Sequence, residues 1–304
     1  MTGGERGSHH VSANQRPPLG GRWRVSGTEI VLDRPLVMGI LNVTPDSFSD
    51  GGSFEDPARA VEHAARMIAE GADVIDVGGE STRPQGATAV DAAEECGRVV
   101  PVIREIVRRF PTALVSIDTV KAATAAAALG TGARIVNDVS GFRLDPAMAA
   151  LCASARCGVV LMHSRGDVST MATYELAVYD EVVPAVVGEL RAALDRALAA
   201  GIDADAIVLD PGLGFSKRAE HSLAVLAAVP EIARLGRPVL IGASRKRFIG
   251  DLSGVSEPAA RQSGTVGANV AALMLGARIF RVHDVAPTRQ ALDVAWAVLQ
   301  AAQR

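Results

Sequence analysis

Eight short apolar runs, each ending on a polar or charged residue, constrain this chain most. They are LVMGILN (36–42), DVIDVGG (73–79), ALVSID (113–118), ARIVND (133–138), GVVLMH (158–163), AIVLD (206–210), PVLIGAS (238–244) and RIFRVH (278–283). Helix-like, Ala-rich segments separate them. Eight strands alternating with helices predict a (β/α)8 TIM barrel. In that fold, groups at the C-terminal ends of the strands converge on one pocket. The strand ends here bring Asn42, Glu80, Asp118, Asn137, His163, Asp210, Ser244 with Lys246, and His283. That set is too polar to be left over from core packing.

An α/β barrel takes about 250 residues. Within 304 residues this leaves no room for a second domain. Residues 1–21, rich in Gly, Ser, Pro and His, are expected to be a disordered tail. Residues 22–304 are expected to be the barrel domain. WRVSGTEIVL (23–32) predicts a short hairpin turning at Ser26-Gly27 and closing the barrel bottom. The first helix is expected from an N-cap at Asp56 to Glu70, with Ala60, Val61, Ala64, Met67 and Ile68 as its apolar stripe. Further helices are expected near 90–110, 120–130, 146–156, 176–200, 219–235, 257–275 and 287–302.

Hydrophobic residues make up 48% of the chain and aromatics only 4%, so the core is Val, Ile, Leu and Ala. Lys plus Arg total 31 against 34 Asp plus Glu, a net charge of -3. That balance gives no electrostatic case for nucleic acid or a membrane surface. No apolar run approaches the roughly 18 residues of a membrane span. Cys96, Cys152 and Cys157 fit no metal or redox spacing and read as reduced thiols of a cytoplasmic protein.

The loop LNVTPDSFSDGG (41–52) carries Asn42, Asp46 and Asp50. A plain turn needs only Pro45-Asp46 and the glycines. The extra Asn and Asp suit oxygen ligands for Mg²⁺ beside a phosphate. Asp118 can cap the next helix, and Asp210 can form a turn before Pro211-Gly212. Together with Asn137 they also suit a flat ring edge with two parallel N–H donors, as in pterins. GASRKRFIG (242–250) fails as a nucleophile elbow, because Lys246 stands where the second Gly belongs. Cations at a helix start oppose the helix dipole, which favours an anionic partner there. Alternation puts Arg281 and His283 on one face of the last strand. The loops after strands seven and eight are the usual phosphate site of such barrels.

LNVTPDSFSDGG, GGESTRP, SIDT, NDVSG, LMHSRG, LDPGLGFSK, GASRKRFIG and RVHD follow in order, one per barrel strand. The chain thereby resembles the bacterial dihydropteroate synthases over about residues 25–303. The resemblance implies a Mg²⁺-dependent transferase of folate biosynthesis. It joins 6-hydroxymethyl-7,8-dihydropterin pyrophosphate to 4-aminobenzoate and releases 7,8-dihydropteroate and pyrophosphate. It implies a pterin pyrophosphate site of Asn42, Asp118, Asn137, Met162, Asp210, Lys246, Arg281 and His283, with Asn42 also touching the metal. It implies a 4-aminobenzoate site of Thr82, Arg83, Pro84, Phe215 and Ser244, with Lys246 shared. The catalytic group it implies is Lys246, Arg281, His283 and Asp46, the last in the mobile first loop. It further implies a cytoplasmic homodimer and a sulfonamide target. LMHSRGDVSTM (161–171), GFSK (214–217) and STRPQGATAV (81–90) depart from the commonest family pattern, so a sulfonamide-insensitive version of the same enzyme is one alternative. A pterin-binding methyltransferase is the other. It needs no pyrophosphate site, so the SRK and RVH motifs argue against it.

Overall fold

A computed structural model describes residues 21–44, 57–80 and 90–302. Asp46, Asp50, Asp56, Thr82, Arg83 and Pro84, together with the N-terminal tail, lie outside the described residues. The hairpin is strands β1 (Arg22–Val25) and β2 (Thr28–Val31), antiparallel. Its turn is Ser26-Gly27, both at positive φ, the conformation a two-residue hairpin turn requires.

The eight apolar runs form β3 (Leu36–Asn42), β4 (Val74–Gly78), β5 (Leu114–Asp118), β6 (Ile135–Asp138), β7 (Gly158–Met162), β8 (Ile207–Asp210), β9 (Leu240–Ile241) and β10 (Ile279–Val282). They run parallel in the order β8-β7-β6-β5-β4-β3-β10-β9. A parallel bridge between Leu209 and Val239 closes the ring. The expected barrel and its N-terminal hairpin are therefore both present.

Helices α1 (Pro57–Ala69), α2 (Ala92–Arg109), α3 (Ala122–Thr131), α4 (Met148–Ala155) and α5 (Val182–Ala199) follow β3 to β7. The region 219–235, expected as one helix, is two: α6 (Ala219–Ala227) and α7 (Val229–Ala233). Pro230 explains the break, since it donates no hydrogen bond and its ring clashes with the preceding turn. A short α8 (Arg247–Ser253) begins at the cations of GASRKRFIG and precedes α9 (Gln262–Leu275), and α10 (Val285–Ala301) ends the barrel.

Inside the barrel, alternation sorts the side chains by height. Lower inward positions are apolar: Leu36, Met38, Val74, Ile135, Val160, Val208, Leu240 and Ile279 pack with Trp23, Val25 and Leu32 of the hairpin region. Two residues further up the same strands stand Asp76, Asn137, Met162, Asp210 and Arg281. The period of two thus converts a strand's polar end into a group aimed at the mouth.

Candidate active site

The mouth holds a cavity of about 930 Å³. Asn42, Asp118, Asn137, Met162, Asp210, Phe215, Ser244, Lys246, Arg281 and His283 all line it. The residues expected at the pterin pyrophosphate and 4-aminobenzoate sites, where described, are thus brought together. Glu80 also lines it. Its Oε1 accepts the Val90 N–H and its Oε2 pairs with Lys121 at 2.9 Å, so it frames the base of the second loop.

His163 is a correction. It was expected among the converging groups, yet it does not line the cavity. Its ring is buried between Lys217 and Glu189. Burial and the Lys217 charge push it down to about 4.

Arg281 is the hub. Its Nε donates to Asp76 Oδ2 and its Nη2 to Asp118 Oδ2, each at 2.6 Å. Asp76 went unnoticed in the sequence because it stands inside an apolar run, although β4 places it in line with the other inward residues. Its Oδ2 also accepts Asn137 Nδ2 at 3.0 Å. Among the described residues its Oδ1 is buried with no hydrogen-bond partner. Burial raises Asp118 to about 7 against the opposing pull of Arg281. Asp118 does not cap the following helix: Asp145 accepts the Ala122 N–H instead.

Asp210 takes the turn role weighed for it and leaves its other carboxylate oxygen towards the cavity. Oδ1 accepts the Gly212 N–H at 2.7 Å and holds the turn. Oδ2 faces the space left by the missing side chain of Gly242. Burial pushes this carboxyl up to about 6, although Lys246 and Arg281 oppose the shift. Lys246 stands 3.9 Å from the centre of the Phe215 ring, a cation–π contact. Among the described residues it makes no ion pair, and burial lowers it to about 8.

Ser244 and His283 form one unit. Ser244 Oγ accepts the His283 N–H at 3.1 Å and meets Nδ1 at 2.9 Å. Burial and the neighbouring Arg245 and Arg281 charges push His283 down to about 3, so it offers a neutral imidazole and not a cation. Arg245, at φ +58, turns away to pair with Asp284 at 2.7 Å. Of the SRK cations, Lys246 alone lies beside the pterin-edge candidates. Val139, Met162, Ala172 and Phe215 form the cavity's apolar wall, with Val120 and Met171 packed in the same cluster.

Two segments that depart from the commonest family pattern meet each other. Ser216, of GFSK, accepts the Arg165 N–H through Oγ at 3.1 Å and lies within hydrogen-bond reach of the Arg165 and Met171 carbonyls. Its own N–H donates to the Met171 carbonyl at 2.7 Å.

The site can therefore take a flat, N–H-rich ring against Met162 and Phe215, with carboxylates at its edge and cations nearby. Comparison with known proteins agrees. Residues 38–283 match the pterin binding enzyme family. The chain is 50% identical to the dihydropteroate synthase of Mycobacterium leprae over 270 residues, 87% of this chain and 94% of the relative. It superposes on a Xanthomonas albilineans dihydropteroate synthase solved with 4-aminobenzoic acid, with a TM-score of 0.85 and 45% identity over 94% of this chain and 99% of that one. A structure of the Xanthomonas albilineans enzyme in complex with 7,8-dihydropteroate gives a TM-score of 0.82 and 42% identity, covering 92% of this chain and 99% of that one.

Proposed function

The chain belongs to the pterin-binding enzyme family, and we propose that within it the chain acts as a dihydropteroate synthase. The observation that carries this is the convergence of Asp118, Asn137, Asp210, Lys246 and Arg281 on one cavity walled by Met162 and Phe215. In the reaction, the bond between the pterin methylene carbon and the pyrophosphate oxygen breaks. The 4-aminobenzoate nitrogen forms the new bond to that carbon and loses a proton. Asp210 Oδ2 is an acceptor for a ring N–H group, while buried Asp76 orients Arg281 and Asn137 from below. Lys246 and Arg281 supply positive charge where the anion departs, and neutral His283 supplies a hydrogen bond. No strong base is needed, because an aniline nitrogen attacks a carbon that its leaving group has left electron-poor. Rate enhancement comes from charge stabilisation and positioning.

Mg²⁺ belongs to the same proposal. A side chain at Gly78 would reach Asn42 Oδ1 and Asp118 Oδ2, so the glycine keeps a cradle of oxygen donors open. Hard cations take oxygen ligands, and Mg²⁺ keeps waters and substrate phosphates as the remainder. Asn42 would hold the ion, whose chemistry is to neutralise the departing pyrophosphate.

Cytoplasmic residence and a homodimer complete the reading. Cys96, Cys152 and Cys157 are free, and no helix among the described residues is long and apolar enough to cross a membrane. Met274 on α9 and Val294 and Val298 on α10 are exposed apolar side chains, which supports an association face.

The test is direct. The protein with the pterin pyrophosphate, 4-aminobenzoate and Mg²⁺ is expected to release dihydropteroate and pyrophosphate in equal amounts, and to stop in excess chelator. Turnover undiminished by chelator would remove the metal from the proposal. No dihydropteroate at all would remove the function.

A further inference from the structure

Lys217 follows directly on Phe215-Ser216 and is among the largest fully buried side chains of the protein. Its ammonium has three N–H donors, and three acceptors surround it. They are the Gly212 carbonyl at 3.1 Å, the Phe215 carbonyl at 3.0 Å and His163 Nδ1 at 2.7 Å. Burial lowers this lysine to about 7, while Asp210 and Glu189 oppose the shift. A match of three donors to three acceptors suits the charged form. His163 then accepts through Nδ1 and donates through Nε2 to Glu189 at 3.0 Å. Glu189 lies on α5 and is also held by Arg165, which stacks on Tyr179 at 4.1 Å.

We propose that Lys217 is a positioning residue that ties the Gly212–Phe215 turn to His163 and so sets where Phe215 faces 4-aminobenzoate. Other bonds also hold the turn, among them Gly214 N–H to Ser222 Oγ at 3.1 Å and Phe215 N–H to the Gly212 carbonyl at 3.1 Å, but the link to the His163 ring is made by Lys217. Gly212 and Gly214 are both at positive φ, where glycine costs nothing sterically but is also free to leave. A side chain at Gly212 would run into the His163 carbonyl, so the turn lies directly on the end of β7. Asp210 Oδ1 fixes one end of the turn through the Gly212 N–H. Lys217 fixes both carbonyls from behind. A shift of the turn moves the Phe215 ring, which is in cation–π contact with the Lys246 ammonium. The 4-aminobenzoate end of the site then changes more than the pterin end, because Asp118, Asn137 and Arg281 hang on other strands.

The inference rests on the proposed reaction, in which Phe215 borders 4-aminobenzoate. Steady-state kinetics of Lys217→Met with both substrates tests it, beside wild type. Methionine keeps the apolar stem and removes all three donors. The expected result is a rise in KM for 4-aminobenzoate of about tenfold to a hundredfold, the size of effect a 1 Å misplacement produces. The KM for the pterin pyrophosphate changes by much less, and Lys217→Arg restores part of the loss. A merely structural lysine gives a different pattern: a smaller active fraction with both KM values unchanged, which overturns the proposal. If Lys217→Met does not fold, Lys217→Gln keeps two amide donors and is read the same way. An unchanged 4-aminobenzoate KM in that folded variant equally overturns it. Failure of the reaction itself is distinguishable, since wild type would then make no dihydropteroate.

Discussion

At the bottom of the barrel, Trp23, Val25 and Leu32 close over Leu36, Met38, Ile135 and Val208 in a dry apolar layer. At the mouth, strands of the same sheet end in Asp76, Asp118, Asn137, Asp210 and Arg281, also largely buried. The two regions share strands, twist and register. They differ in what holds them. The bottom is stabilised by removing apolar surface from water, a non-directional effect. The mouth holds charges out of water, and each needs a partner or a ligand to offset its desolvation. One end is therefore built for stability and the other carries strain that a substrate relieves.

The largest effect expected from this contrast is at Arg281. Arg281→Met leaves Asp76 and Asp118 without their shared cation. Breaking a buried pair from one side costs about 3–5 kcal/mol. Both turnover and stability are expected to fall. This differs from what the last strand alone leads one to expect, namely a cation free to meet an anion. Asp118 is already raised to about 7 by burial and can take up a proton, so the stability deficit shrinks as pH falls and grows as pH rises. Denaturant midpoints at two pH values check the sign. A midpoint equal to wild type at both would show that the triad contributes nothing to folding.

Trp23→Ala probes the other end. The ring is fully buried and its Nε1–H donates to the Ala206 carbonyl at 2.9 Å. Truncating a buried Trp costs about 3–5 kcal/mol. Both KM values of the folded variant are expected to stay within about twofold, since distant sites act independently. A marked KM change would break the separation of the two ends.

The mouth alone carries inward titratable groups, so it sets the pH profile of kcat/KM. Asp210 is pushed up to about 6 and Asp118 to about 7, both by burial, and protonation of either removes an acceptor. Activity is lost as pH falls through that range. Lys246 is lowered to about 8, and its charge is lost as pH rises through it. A bell is expected, its alkaline limb falling about tenfold per pH unit and its acid limb more steeply once both carboxyls are protonated. A flat profile between about pH 5 and about pH 9 would mean that none of the three groups must be charged.

The strands were legible because both the bottom layer and the outer face of the sheet are apolar, so each run stands out against Ala-rich helices. The mouth was legible wherever a polar residue ends a run: Asn42, Asp118, Asn137 and Asp210 all took their expected places. Position along a strand did not reveal partners. His163 ends its run as the others do, yet it pairs behind the cavity with Lys217. Asp76 lies two residues before Gly78, and the alternation that placed Arg281 and His283 could have found it. Lys217 left no signal, since a lysine after a glycine-rich turn reads as exposed. The two loops carrying Asp46, Thr82, Arg83 and Pro84 lie outside the described residues, so the structure neither supports nor opposes their roles.

The smallest effect expected is at Ser216, where the mouth's reliance on directional bonds can be weighed against backbone strain. Ser216 sits at φ +46, a region that costs a non-glycine residue about 1 kcal/mol. Ser216→Gly relieves that strain. It also makes the unfolded chain more flexible, which takes back a similar amount. What remains is the hydroxyl. It satisfies the Arg165 N–H and reaches the Arg165 and Met171 carbonyls, in a place where Ser216 is fully buried. A buried group left without its partner costs about 1–3 kcal/mol. A net loss of about 1 kcal/mol is therefore expected, together with faster amide exchange in residues 164–173, which the hydroxyl ties down. A variant as stable as wild type, with exchange unchanged, would mean that the strained backbone and the hydroxyl cancel. The mouth would then be held by its charged groups alone, and the contrast with the apolar bottom would be sharper still.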